Sequence, residues 1–158
     1  MLSDTEKSEI EGIMEHAETK RSACVDALLI VQKYRGWVSD EALADVATTL
    51  EMSTAELDSI ATFYNLIFRK PVGKHVIHVC DGISCWIMGG HNIRDHLQSR
   101  LGIKAGETTA DGQITLLPGD CMGACDRAPA MIVDETLHGN LTIEQLDKVL
   151  DELKDGQA

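Results

Sequence analysis

From residue 3 to about residue 70 the apolar positions recur every three or four residues, the period of one helical face. Beyond that point they gather into short runs bounded by turn residues, the pattern of strands. Ser3 and Glu6 form a capping-box signature that opens a first helix, predicted to run to about Thr19. A second helix is predicted from Ser22 to Arg35, with Cys24, Leu28, Val31 and Tyr34 on one face and Gly36 at its end. Ser39 caps a third, carrying Leu43, Val46, Ala47 and Leu50, with Asp40 and Glu41 well placed against its positive end. Ser53 and Glu56 open a fourth, predicted to continue through Leu57, Ile60, Ala61 and Tyr64 to Phe68. Connected amphipathic helices of this length predict a small helical bundle.

Lys70-Pro71-Val72-Gly73 breaks the helical period and predicts a boundary between a helical domain, 1–70, and a second domain, 71–158. In the second domain a strand leads from Lys74 to Val79 and into Cys80. A helix is expected from Trp86 to Leu101, ended by Gly102, and then a polar loop over 104–112 with the hairpin signal Asp111-Gly112. Strands follow at Ile114–Leu117 and Ala130–Val133, with a short one around Leu137. Thr142 and Gln145 cap a last helix through Leu146, Val149, Leu150 and Leu153. The order β-α-β-β-β-α predicts a small mixed sheet flanked by helices, so the whole chain reads as α+β.

Charge narrows the choice of partners. The 158 residues carry a net charge of −12, and residues 1–70 and 71–158 each hold 7 basic and 13 acidic side chains. Neither half has a basic cluster, so nucleic acid and anionic membrane are not expected partners, and a protein with a basic face is. The helix–turn–helix look of 39–68 does not alter this, because no Lys or Arg occurs from Gly36 to Phe68. No apolar run is long enough to span a bilayer, and the N-terminus lacks the features of a secretory signal. The expected location is the cytoplasm, where disulfides rarely persist.

Candidate chemistry lies in four of the five cysteines. Cys80-x4-Cys85 and Cys121-x3-Cys125 each form a short glycine-containing loop after a strand, so neighbouring strands would bring four thiolates to one sheet edge. Structural zinc uses four thiolates, but its usual knuckles place two residues between paired cysteines. The wider gaps suit a two-iron cluster, and a four-residue gap occurs in plant-type ferredoxins. Spacing alone leaves a zinc-stabilised interaction module as the alternative. Cys24 reads as a small core residue of the bundle. His75, His78, His91 and His96 flank the first loop without lying in either one, and they read as packing or surface residues.

Larger motifs carry a resemblance. Ala61-Thr62-Phe63-Tyr64, Pro71-Val72-Gly73, Cys80-x4-Cys85, Leu116-Leu117-Pro118, Asp120-Cys121-Met122-Gly123-Ala124-Cys125 and Ala128-Pro129 are the residues that carry it. Together they resemble the thioredoxin-like [2Fe-2S] ferredoxins that serve as the small E subunit of NADH-quinone oxidoreductase, respiratory complex I. Relatives of that family occur in NAD-linked hydrogenases and formate dehydrogenases. Met122 stands where the family commonly has Leu, and Ser59-Ile60 where Gly-Val is usual.

The resemblance implies a helical domain followed by a thioredoxin-like domain. It implies one [2Fe-2S] cluster on Cys80, Cys85, Cys121 and Cys125, and a larger partner subunit that holds FMN and binds NADH. On this reading the chain is an electron-transfer subunit of an oxidoreductase, with no catalytic residues and no complete active site of its own. Its complex would leave it cytoplasmic, either free of the membrane or peripheral at its inner face. No Gly-x-Gly-x-x-Gly follows a strand, in keeping with nucleotide sites that lie elsewhere. Asp81, Asp120 and Asp126 adjoin the expected ligands and would disfavour reduction, or serve only as turn residues. The amides of Gly82, Ser84, Gly123 and Ala124 are expected to donate to sulfur and oppose the charge effect. Pro129 is open to either isomer: thioredoxin-like folds favour cis, the general base rate trans.

Overall fold

A computed structural model describes residues 1–154 and divides the chain into two compact units, Met1–Pro71 and one beginning at Val72. The first unit is all helical: α1 (Asp4–His16), a 3-10 turn at Lys20–Ala23, α2 (Cys24–Arg35), α3 (Asp40–Thr49) and α4 (Thr54–Phe63). Ser3, Ser39 and Ser53 each accept from a backbone amide of the first helical turn, and at Ser3 and Ser53 the full capping box forms. Gly36 ends α2 in the left-handed conformation, φ 79°. Ile10, Leu28, Val31, Leu43, Val46 and Leu57 are almost fully buried in one core, and Cys24 packs there with them. A largely buried ion pair stiffens this unit: Arg35 donates from Nε and Nη2 to the two carboxylate oxygens of Glu6 at 2.6 and 2.7 Å. The guanidinium holds the Glu6 carboxyl down at about 2, against the cost of burial.

Two helix boundaries differ from the sequence reading. The first helix stops at His16, and Thr19 instead caps the following 3-10 turn, so that α2 begins at Cys24. The fourth stops at Phe63 rather than continuing to Phe68, because the chain beyond finds distant partners. Gln32 of α2 donates to the Leu66 carbonyl and accepts the Phe68 amide, and the Phe68 carbonyl takes the Val38 amide. Those bonds replace the i→i−4 ladder, which a periodicity argument cannot foresee.

The second unit is a five-stranded mixed sheet of order β2-β3-β1-β4-β5, with β1 (His75–Cys80), β2 (Glu107–Thr108), β3 (Ile114–Gly119), β4 (Met131–Val133) and β5 (Thr136–His138). Only β1 and β3 are parallel, and the connection between them carries α5 (Ile83–Ile87) and α6 (Gly90–Leu101). The single helix expected over 86–101 is thus two, separated by Gly89 at φ 90°, a backbone state favouring glycine. The loop expected over 104–112 contains β2, which forms a hairpin with β3 around Asp111-Gly112. There Asp111 accepts the Gln113 amide and Gly112 has φ 69°. After β5, α7 (Ile143–Lys154) starts at the predicted Thr142–Gln145 box. Ile93 and Leu97 of α6 and Leu146 and Leu150 of α7 pack with Ile77, Val79, Leu116 and Met131 of the sheet as the core of this unit. The chain is therefore α+β. Among the described residues no helix is long and apolar enough to cross a membrane.

Candidate metal centre at the cysteine loops

The parallel pairing of β1 with β3 fixes where the two cysteine loops begin. Cys80 is in register with Gly119, so both loops leave the sheet at one end and one level. The ladder extends one bond further, from the Asp81 amide to the Gly119 carbonyl at 2.9 Å. Gly119 has no room for a side chain: a Cβ there would stand 2.8 Å from the Val79 carbonyl oxygen. On the other side of β1 the Cys80 amide donates to the Ala130 carbonyl at 3.1 Å, which ties the β4 approach to the same end. The Ala128–Pro129 peptide, just before β4, is cis.

Cys80, the last residue of β1, and Cys85, within α5, are buried, whereas Cys121 and Cys125 are exposed. Cys121 follows β3 in irregular backbone, and Cys125 opens a short 3-10 turn through Arg127. Ala128 and Ala130 form a small apolar patch with Cys80 and Cys85, and Met122 and Ala124 pack against it. A Cβ added at Gly82 would lie 3.4 Å from Cys80 Sγ and 3.5 Å from Cys121 Sγ, so the first loop's glycine is where sulfurs of both loops approach the backbone. Among the described residues, no three His, Cys, Asp or Glu side chains gather around a point able to hold one metal ion.

The sulfurs differ in their surroundings. Burial pushes the Cys80 thiol up, but the amides of Met122 and Gly82 and the Cys85 thiol donate to its sulfur, and together they bring it below its usual value. Burial and the bond to Cys80 push Cys85 up, while the Ala130 amide acts the other way, and Cys125 adds to the rise when ionised. Of the donors expected from sequence, the Gly82 amide is in this set. Met122 and Ala130 escape a sequence reading, because their amides reach sulfur only once β3 and β4 flank β1. Amides aimed at sulfur stabilise thiolate and metal-bound thiolate, so the donor set fits a thiolate-ligated iron–sulfur centre.

Two further features surround the loops. Asp81 is not an isolated anion, because Arg94 of α6 donates to its Oδ1 at 2.9 Å. Asp126 has Arg127 at 3.8 Å. Ile83, Trp86, Ile87 and Met88 stand exposed on and just after α5, an apolar face beside Cys85. The histidines take other partners: His75 bonds Asp134, His96 bonds Asp147, and burial holds the His78 imidazole below its usual value.

Comparison with known proteins agrees with this architecture. Residues 10–154 match the family model of the thioredoxin-like [2Fe-2S] ferredoxins. The E subunit of NADH-quinone oxidoreductase from Pseudomonas aeruginosa is 46% identical over 151 residues, which span 96% of this chain and 91% of that protein. Its counterpart in Escherichia coli is 46% identical over 97% of this chain and 92% of its own length. Among solved structures, an NAD+-reducing [NiFe]-hydrogenase shares the fold with a TM-score of 0.71 at 24% identity, covering 82% of this chain and 23% of the hydrogenase chain. Sheet topology, the paired cysteine loops and these relatives converge: the chain belongs to the thioredoxin-like [2Fe-2S] ferredoxin family.

Proposed function

We propose that this chain holds one [2Fe-2S] cluster on Cys80, Cys85, Cys121 and Cys125. We propose further that it exchanges single electrons with FMN in a larger, NADH-binding partner subunit of an NADH-quinone oxidoreductase. The observation that carries the reading is the register of Cys80 with Gly119, which starts both cysteine loops at one end of the sheet, with the Cys80 and Cys121 sulfurs both near Gly82. When bound, the cluster supplies a site for one electron at a time. The protein's own contribution is positional and electrostatic. Strand β1 and helix α5 hold Cys80 and Cys85 out of water, main-chain amides offset the thiolate charge, and Cys121 and Cys125 complete the set from the exposed side.

A partner of this kind is supported by the relatives and by the apolar face of α5, since exposed patches of this type mark contact with another macromolecule. Hydride transfer from NADH belongs to that partner, and the chain would reach the membrane only through its complex. Among the assemblies that carry such proteins, the quinone-linked one is favoured by the 46% identity to the two bacterial NADH-quinone oxidoreductase relatives.

Anaerobic purification alone and with an FMN-bearing partner provides the test. The isolated chain should be reddish-brown with about two irons. NADH should bleach its visible band only when the partner is present. A colourless zinc protein, or a band that NADH leaves unchanged beside the flavin subunit, overturns the proposal.

A further inference from the structure

Helix α6 meets the first cysteine loop at two places. Its first residue, Gly90, lies so close to α5 that a Cβ there would stand 2.8 Å from the Cys85 carbonyl oxygen. Four residues later, on the same helical face, Arg94 donates to Asp81 at 2.9 Å. Asp81 is also fixed from the other side, through its amide to the Gly119 carbonyl of β3. Its carboxylate is therefore held at the residue that follows Cys80, beside the first cysteine loop. Arg94 is the cation paired with that carboxylate.

We propose that Arg94 is a positioning residue that holds Asp81 in place and offsets its charge, and thereby raises the reduction potential of a centre bound at Cys80. This rests on reading the four cysteines as [2Fe-2S] ligands. Taking up one electron makes such a centre more negative. A lone carboxylate alongside opposes that step, and a guanidinium favours it. Both side chains are partly exposed, with 33% of Arg94 and 60% of Asp81 accessible, so salt screens the effect.

Redox titration of the whole chain with dithionite as the one-electron reductant, followed by visible absorption or EPR, tests this. Arg94→Gln should lower the midpoint potential and Asp81→Asn should raise it. The double variant should return close to the unmodified chain, and Arg94→Lys should lie nearer to it than Arg94→Gln does. All differences should shrink as salt is added, which a purely packing role would not produce. An Arg94→Gln potential that is unchanged or raised overturns the assignment. If Arg94→Gln loses its cluster while the double variant keeps it, the unpaired Asp81 is the cause and the assignment stands. Loss in both variants overturns it. A wild-type chain that binds no iron removes the [2Fe-2S] reading itself, an outcome distinct from a loaded wild type with an indifferent Arg94.

Discussion

The two units follow different rules. In Met1–Pro71 the starts of α1, α3 and α4 are sealed by nearby side chains, the apolar faces meet in one core, and the largely buried carboxylate of Glu6 is matched by a fork of Arg35 donors. In the unit that begins at Val72 the sheet and two helices form a core of the same quality, but the cysteine end lies outside it in a small patch of its own. Half of the cysteine set there is exposed, Cys121 on irregular backbone and Cys125 at the start of a short 3-10 turn. One unit is built for stability, and the other keeps an unfinished edge where its chemistry would occur. A buried carboxylate gripped by a guanidinium of another helix marks the first, and sulfurs served by main-chain amides of more than one loop mark the second.

The sharpest break between the units should come from cysteine itself. Cys80→Ser should remove visible colour and bound iron entirely, whereas Cys24→Ala should leave both intact and lower only the unfolding midpoint. Iron retention in Cys80→Ser would count against its ligand role.

The next effect is a pH dependence centred on Glu6 of the helical unit. The Glu6 carboxyl is depressed in the fold, so its stabilisation is complete above the unfolded value of 4.5 and is lost as pH falls towards about 2. The contribution is roughly 3 kcal/mol. Denaturant melts of the native chain should weaken over that window, and Glu6→Gln should be less stable at neutral pH with a flatter acid profile. A variant with the native acid slope would show that the pair is not its source.

Smaller effects separate two glycines of the cysteine unit. Gly90→Ala forces a Cβ against the Cys85 carbonyl and should cost about 2 kcal/mol, with faster loss of cluster colour. Gly123 has open space around its Cβ position but φ 73°, so Gly123→Ala should cost only about 1 kcal/mol, from the backbone alone. Gly123→Asn should recover part of it. Equal losses at Gly90 and Gly123 would erase the distinction between packing and dihedral constraint.

The same division explains what could be read from sequence. Ser3, Ser53 and Thr142 announce helices through bonds that span three residues, and Gly36 and Gly102 end helices by their own backbone freedom. Such signals need no knowledge of the fold. The end of α4 was not legible, because it is decided by Gln32, more than thirty residues away. Nor was β2, whose Glu107 and Thr108 are exposed and carry no apolar alternation. The break before α6 did leave a trace, the doublet Gly89-Gly90.

At the site, the cysteine spacing exposed the candidate ligand types, and the strand pattern placed both loops after strands. The Met122 and Ala130 amides and the Arg94–Asp81 pair come together only once β3, β4 and α6 flank β1, so a charge argument built on Asp81 alone lacked its counter-ion.

The sheet's outer strands have a consequence for the newly made chain. β2 has two residues and β5 has three, and these are the strands at the two margins. A long open margin would offer backbone donors and acceptors to any extended peptide, including another copy of this chain. Margins this brief give an intruding strand almost nothing to extend, so newly made chains should resist sticking edge to edge.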